Sequence, residues 1–161
     1  MKKPEPEIGQ IVKYDYLWRD EKDKGRIEGA KERPCAVVVA RKASADGSFE
    51  VLLAPITHSP PIAGKAATAI PEQAKKITGL DQNRSWLLIA EVNAVAWSDP
   101  GIVPAKKGEW LYGNLPRGVA SKAVQDLARL QGQGKLQIID RRPKVFQTAH
   151  QGKDRNGDRG R

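Results

Sequence analysis

Two stretches of sequence decide the fold: RPCAVVVA at residues 33–40 and VLLAPITHS at residues 51–59. Both are apolar runs of the kind that form buried strands. Only about ten residues separate them, and these include Ser44-Ala45-Asp46-Gly47, a composition typical of a turn. An antiparallel hairpin is therefore the simplest pairing. Such a hairpin would place Arg33, where the first strand begins, beside Thr57, where the second strand ends.

Arg33 and Thr57 are the first candidates for a functional site. Pro34 favours an extended backbone at Arg33 and so holds its side chain at the rim of the sheet. A guanidinium that faces a hydroxyl suits an oxyanion such as phosphate, because its planar fork of donors stays charged. The alternatives are an ordinary surface arginine and a strand-end hydroxyl that bonds to its own backbone.

The remaining segments divide into short strands, long loops and one late helix. Residues 9–17 predict a strand with Ile11 and Lys13 on one face and Val12, Tyr14 and Tyr16 on the other. Residues 18–32 are charged and predict a long solvated loop, of the kind that serves as a lid or a binding loop. The rest of the pattern predicts a short strand at 66–70, a short helix at 71–78, an apolar strand over 86–97, an irregular segment at 101–115, a helix at 116–130 and, at 136–139, either a terminal strand or a segment packed on the body.

The late helix is the clearest of these elements, because its apolar residues share one face: Val119, Ala123, Leu127 and Leu130. Together with the short strands it indicates a mainly β fold, a small and strongly bent antiparallel sheet or barrel with a helix packed on it. We expect one domain over residues 8–139, with a flexible leader at 1–7. Residues 140–161 hold seven basic and three acidic side chains and predict a disordered cationic tail.

Composition limits the partners and the chemistry. The chain of 161 residues carries 28 basic and 19 acidic side chains, a formal net charge of +9, which suits nucleic acid, an anionic membrane surface or an acidic protein. There is no apolar run near the ~20 residues that span a bilayer and no signal-peptide pattern after Met1, so we expect a cytoplasmic protein without membrane partners. The single cysteine, Cys35, excludes an internal disulfide, and we interpret it as a small buried strand residue. With only two histidines a zinc site is not expected, and no cofactor is predicted.

Four segments in this order resemble the PemK/MazF family of toxins from toxin–antitoxin pairs. They are a Gly-x-Ile-Val strand at residues 9–12, the charged loop, the Arg-Pro-x-x-Val-Val strand at 33–38, and an apolar strand that ends in Pro-x-Thr at 55–57. The resemblance covers roughly residues 8–130. It implies an SH3-like barrel with a C-terminal helix, a homodimer, and Arg33 and Thr57 as the catalytic arginine and threonine.

Two acidic residues and a histidine gain meaning from this resemblance. Glu28 stands at the spacing of a family glutamate that acts as general base or orients the arginine; otherwise it is a solvated charge, and Glu32 competes for the arginine. Glu91 matches an acidic residue of some relatives and lies either at a rim or in a pair. His58 departs from the family pattern and is either a general acid or base or a surface histidine.

The leading hypothesis is a metal-independent endoribonuclease that acts on single-stranded RNA or mRNA. The 2′-OH of RNA is the nucleophile, and the products are a 2′,3′-cyclic phosphate and a 5′-OH. The resemblance implies an acidic antitoxin whose extended C-terminal segment covers the Arg33/Thr57 groove. The predicted site comprises the catalytic residues Arg33, Thr57, Glu28 and His58 and the RNA-binding residues Trp18, Arg26, Lys31, Ser59 and Glu91. The alternatives are a non-catalytic nucleic-acid-binding barrel and a gyrase-directed toxin of related fold.

Overall fold

The computed structural model describes residues 2–43, 46–61, 66–81 and 83–143. The elements run in the order β1 (Gln10–Tyr14), α1 (Arg19–Asp23), β2 (Arg33–Lys42), β3 (Phe49–Thr57), β4 (Ala67–Ala69), a 3₁₀ turn (Glu72–Ala74), α2 (Lys75–Thr78), β5 (Trp86–Leu88), β6 (Glu91–Ala96), β7 (Ile102–Val103), β8 (Gly113–Asn114), α3 (Arg117–Gly132) and β9 (Gln137–Asp140).

The predicted hairpin is confirmed. β2 and β3 pair antiparallel from Lys42 with Phe49 to Cys35 with Pro55, and the register shifts once between Val37 and Val39. At the connection, Asp46 accepts a hydrogen bond from the Ser48 backbone, while residues 44–45 of the predicted turn lie outside the described part of the chain. This pairing fixes which ends of the two strands meet.

The sheet is mainly antiparallel and open. β1 flanks β2 on one side, and β3 flanks it on the other. The far edge of β3 pairs first with β6 and then with β5, so the predicted strand over 86–97 is two strands with a break between them. β9 joins β6 in parallel. Within the described residues no strand pairing joins the ends of this sheet, so the predicted barrel is not confirmed, whereas the mainly β class is.

Apolar side chains cover both faces of the sheet, and successive residues of a strand point to opposite faces. Ile11, Ala36 and Ile56 belong to the core that faces α3, and Val12 and Tyr14 belong to the core on the opposite face. The predicted division of the first strand is thus confirmed. The four predicted residues of the late helix are also the buried residues of α3.

Gly79 fixes the segment that leads to the cleft described below. It ends α2 with a left-handed φ of +67°, a conformation common for glycine at the C-terminal end of a helix. A Cβ at this position would collide with the backbone of Tyr112. Only glycine therefore meets both requirements, and α2 lies close to the strand that precedes α3.

Both termini of the described chain differ from the prediction. In the predicted leader at residues 1–7, of which residues 2–7 are described, two residues contact the body: Trp97 Nε1 donates to the Pro4 carbonyl at 2.9 Å, and Lys3 Nζ lies over the rings of Trp97 and Trp110. At the other end, Arg142 pairs with Asp140 and with Glu50. The fold therefore extends beyond residue 139, and the predicted tail from residue 144 onward lies outside the described residues.

The predicted loop over residues 18–32 is also partly ordered, because it contains α1. The Trp18 backbone N–H donates to Glu21 Oε1 at 3.1 Å, which fixes the start of this short helix. None of the helices in the described ranges is long and apolar enough to cross a membrane.

Glu50 links three separate segments of the sheet. Arg41 from β2 and Arg142 from beyond β9 each approach its carboxylate, at 2.6 Å and 3.1 Å. Burial raises the pKa of Glu50, but the hydrogen bonds and charges of the two arginines outweigh burial, and the pKa lies below its ordinary value. The ionised form is therefore the one that stabilises the fold.

We expect Glu50→Gln to lower the free energy of unfolding at pH 7 by about 1–2 kcal/mol, because it removes a charge-assisted acceptor shared by two arginines. The folded-state pKa is depressed, so the wild-type advantage is present above the ordinary glutamate pKa and is lost as the pH falls through the folded value. Urea unfolding at pH 7 and pH 3 measures it. Glu72→Gln, at an exposed position, is the control; an equal effect of the two variants at pH 7 would contradict the assignment.

Candidate functional site

One cleft opens where β2 begins and β3 ends, and its volume is about 1440 Å³. The last recorded pair of the hairpin at this end is Cys35 with Pro55. Continuing that antiparallel register by two residues places Arg33 opposite Thr57, and both residues line the cleft. The sequence-based expectation that the two meet at one rim is thus met by the backbone.

The Arg33 side chain is held by stacking. Its guanidinium carbon lies 5.1 Å from the centre of the Trp18 ring, a cation–π geometry. Its Nε is buried without a hydrogen-bond partner, and no carboxylate in the described ranges forms an ion pair with it. A buried donor without an acceptor costs about 1–3 kcal/mol. Arg33 is therefore a positioned cation whose Nε donor is left unused by the residues that the structure describes.

Glu91 positions Trp18 by binding the residues on both sides of it. Its Oε2 accepts from the Tyr16 hydroxyl at 2.9 Å and from the Arg19 backbone at 3.1 Å. Tyr16 in turn meets Trp18 edge to face, with ring centres 4.9 Å apart. Burial and then Glu91 raise the pKa of Tyr16 well above its ordinary value, so its hydroxyl stays a donor. Glu91 lines the cleft, as predicted, but these contacts make it a support for the aromatic residue that carries Arg33.

Asn93, which sequence reasoning missed, binds the backbone of Leu17, the residue before Trp18. It is fully buried, and its amide donates to the Leu17 carbonyl and accepts from the Leu17 N–H, both at 2.9 Å. Arg141 donates to Asn93 and to the Asp15 carbonyl. A polar residue inside the apolar run Val92-Asn93-Ala94-Val95 was the available signal, because buried amides are almost always hydrogen-bonded.

Thr57 forms the local hydrogen bond of a strand-end hydroxyl, the alternative that its sequence position also allowed. Its Oγ1 accepts from the Ser59 backbone N–H at 3.1 Å. The hydroxyl proton remains available to donate, and the side chain lines the cleft together with Ser59. The local bond therefore orients the hydroxyl without using its donor.

His58 also lies in the cleft. Its Nε2 is 3.2 Å from Asp81 Oδ2, and its Nδ1 is 3.0 Å from the Arg84 carbonyl oxygen. Neither Asp81 nor Arg84 was predicted as a site residue, since no motif connects them with the hairpin.

The structure brings together seven of the predicted site residues and leaves two outside the cleft. Those in the cleft are Trp18, Lys31, Arg33, Thr57, His58, Ser59 and Glu91. Glu28 and Arg26 are exposed and do not line it; the Arg26 guanidinium donates to the Glu28 carbonyl instead. The carboxylate beside Arg33 that does line the cleft is Glu32. Ile27 and Gly29 on either side of Glu28 lie against the body, at Arg141 and at the Asp15 and Tyr16 carbonyls, whereas the Glu28 side chain is exposed outside the cleft.

Two further features bear on the chemistry of the site: the burial of Cys35 and the arrangement of potential metal ligands. Cys35 is fully buried, as predicted, and burial raises the pKa of its thiol in spite of the Arg33 charge. The residues that the structure describes include no group of three or more His, Cys, Asp or Glu side chains that could hold a metal ion.

Comparison with protein-family models, with curated proteins and with solved structures gives no match. The interpretation of the cleft therefore depends on its own residues.

We expect Asn93→Ala to lower the free energy of unfolding by about 2–4 kcal/mol, because it leaves the buried N–H and C=O of Leu17 without partners. Urea denaturation measures the loss. Asn114→Ala removes an exposed amide from another strand of the sheet and should change stability by less than about 0.5 kcal/mol. Similar losses in the two variants would contradict the supporting role of Asn93.

Proposed function

We propose that this chain is an endoribonuclease that cleaves single-stranded RNA by attack of the 2′-OH on the adjacent phosphate. The observation that carries the proposal is the placement of Arg33. Its guanidinium is fixed by stacking, has no carboxylate partner in the described ranges, and lies at the rim where β3 ends with Thr57. The cleft is not uniformly basic, since Asp20, Glu32 and Asp81 line it too. The argument therefore rests on Arg33 rather than on a positive surface.

Each group of the cleft takes one part in the proposed reaction. The Arg33 guanidinium binds a non-bridging phosphate oxygen and stabilises the charge that grows there in the transition state. Thr57 donates its hydroxyl proton to the second non-bridging oxygen. Glu32, rather than Glu28, accepts the proton of the 2′-OH, because it is the glutamate beside Arg33 that lines the cleft.

The bonds balance without any further reactant. The O2′–P bond forms, the P–O5′ bond breaks, and the 5′-oxygen receives a proton from an acid of the cleft. The products are a 2′,3′-cyclic phosphate and a 5′-OH. This route needs no metal, because RNA supplies the nucleophile and the protein supplies positioning, charge stabilisation and proton transfer.

The biological context of the proposal comes from the resemblance to the PemK/MazF toxins. It implies that the sheet belongs to an SH3-like barrel fold, that the protein is a homodimer, and that the extended segment of an acidic antitoxin covers the cleft. The open mouth between α1 and the end of β3, where Arg19, Lys31 and Arg33 lie, is consistent with an extended acidic partner.

The test is cleavage of a mixed-sequence RNA by purified protein in EDTA, with the new ends mapped. We expect wild-type protein to leave 2′,3′-cyclic phosphate ends and Arg33→Ala to lower kcat by at least about 100-fold with little change in stability. Arg33→Lys should not restore the rate, because an ammonium lacks the planar fork of donors.

Arg26→Ala is the matched control, since it removes an exposed arginine outside the cleft and should retain cleavage. Full activity of Arg33→Ala would remove Arg33 from its proposed role. RNA that is bound and protected by wild-type protein but never cut would favour the non-catalytic binder.

A further inference from the structure

Three residues of the connection from α2 to β5 lie beside the imidazole of His58: Asp81, Arg84 and Ser85. Nδ1 lies 3.0 Å from the Arg84 carbonyl oxygen and 3.5 Å from Ser85 Oγ. A carbonyl oxygen can only accept, so Nδ1 carries a proton in this arrangement. The nitrogen that can exchange a proton with a substrate is then Nε2, because the bond at Nδ1 fixes the tautomer.

Asp81 is itself oriented towards Nε2. One carboxylate oxygen, Oδ1, accepts from the Asn83 backbone N–H at 2.9 Å, and the other, Oδ2, lies 3.2 Å from His58 Nε2. With acceptors at both ring nitrogens, the doubly protonated imidazole satisfies every contact. A proton on Nε2 therefore points to Asp81 Oδ2, in the cleft that both residues line.

A buried lysine anchors this connection. Lys75 is only 7% exposed, although its Nζ carries three donors. It donates to the Asn83 carbonyl at 2.5 Å and to Ser85 Oγ at 3.3 Å. Lysine is rarely buried without partners, and here both partners belong to the segment that surrounds His58.

We propose that Asp81, Ser85 and Lys75 are positioning residues that present His58 Nε2 as the general acid for the leaving 5′-oxygen. The inference rests on the proposed function and assigns the acid that it left unnamed. As the P–O5′ bond breaks, the Nε2 proton passes to the 5′-oxygen, and the neutral ring recovers a proton from solvent. Asp81 and His58 each expose more than half of their side chains, so their contact exchanges readily for a substrate oxygen.

A substrate with sulfur in place of the bridging 5′-oxygen tests the assignment, because a thiolate leaves without a proton. On ordinary RNA we expect His58→Ala to lower kcat by about 100-fold or more, with KM within twofold. On the sulfur-bridged oligonucleotide the same variant should lose less than about threefold. A structural role for His58 would lower both rates equally, and that result overturns the inference.

The positioning residues are tested on the same pair of substrates. Asp81→Asn and Lys75→Met should lower kcat on ordinary RNA by about tenfold and largely recover on the sulfur-bridged substrate. Lys76→Met, an exposed neighbour on α2 outside the cleft, is the control for Lys75 and should retain wild-type rates. If the Lys75 variant does not fold, Asp81→Asn decides.

A spectroscopic measurement separates this inference from the proposed function. In ¹⁵N NMR we expect His58 Nδ1 to remain protonated in wild-type protein and the Nε2 signal to shift in Asp81→Asn. The signals that disappear in His58→Ala are those of His58, which distinguishes them from the signals of the second histidine of the chain. A His58 ring with bare Nδ1 overturns the inference even if RNA is cleaved. Wild-type protein that cleaves neither substrate overturns the proposed function and the inference with it.

Discussion

The antiparallel register of β2 against β3 is the constraint on which the rest of the structure depends. Strand pairing is periodic, so a shift of one residue would turn every side chain to the opposite face and separate Arg33 from Thr57. The register is held because both faces of this hairpin are buried: Ala36 and Ala54 face one core, and Val37 and Leu53 face the other. A slip of one residue would move the larger Val37 and Leu53 into the space that Ala36 and Ala54 fill, and the cost of this misfit also maintains the geometry of the cleft.

The register places the backbone of Arg33, and a further set of polar contacts fixes the direction of its guanidinium. The backbone pairing of Arg33 with Tyr14 places its Cα, but a long side chain at a strand end has many rotamers. Glu91 and Asn93, two positions apart on β6, fix the backbone on either side of Trp18, and Trp18 holds the guanidinium. Two polar side chains on one face of a strand thus limit the freedom of a cation through the segment that carries Trp18.

The sequence was sufficient for the features that depend on periodicity, and insufficient for those that depend on where a loop turns. The hairpin, the two faces of β1 and the apolar face of α3 follow from alternation and from 3.6-residue spacing. The exchange of Glu28 for Glu32 does not, because this loop meets residues that are distant in sequence, such as Arg141, which donates to the Ile27 carbonyl. Nor do the contacts of His58 follow from it, since Asp81 and Ser85 reach the imidazole, and Lys75 reaches Ser85, only after the chain has folded. The open sheet likewise reflects pairings between distant segments, for which local sequence carries no signal.

The most direct test of the account is the structure of the protein bound to a short RNA that carries a single 2′-deoxy nucleotide, which removes the nucleophile and leaves the phosphate intact. The account predicts one phosphate whose oxygens lie within about 3.2 Å of both the Arg33 guanidinium and Thr57 Oγ1. An oligonucleotide whose phosphates contact neither group, or an Arg33 that turns to a carboxylate instead, would contradict it.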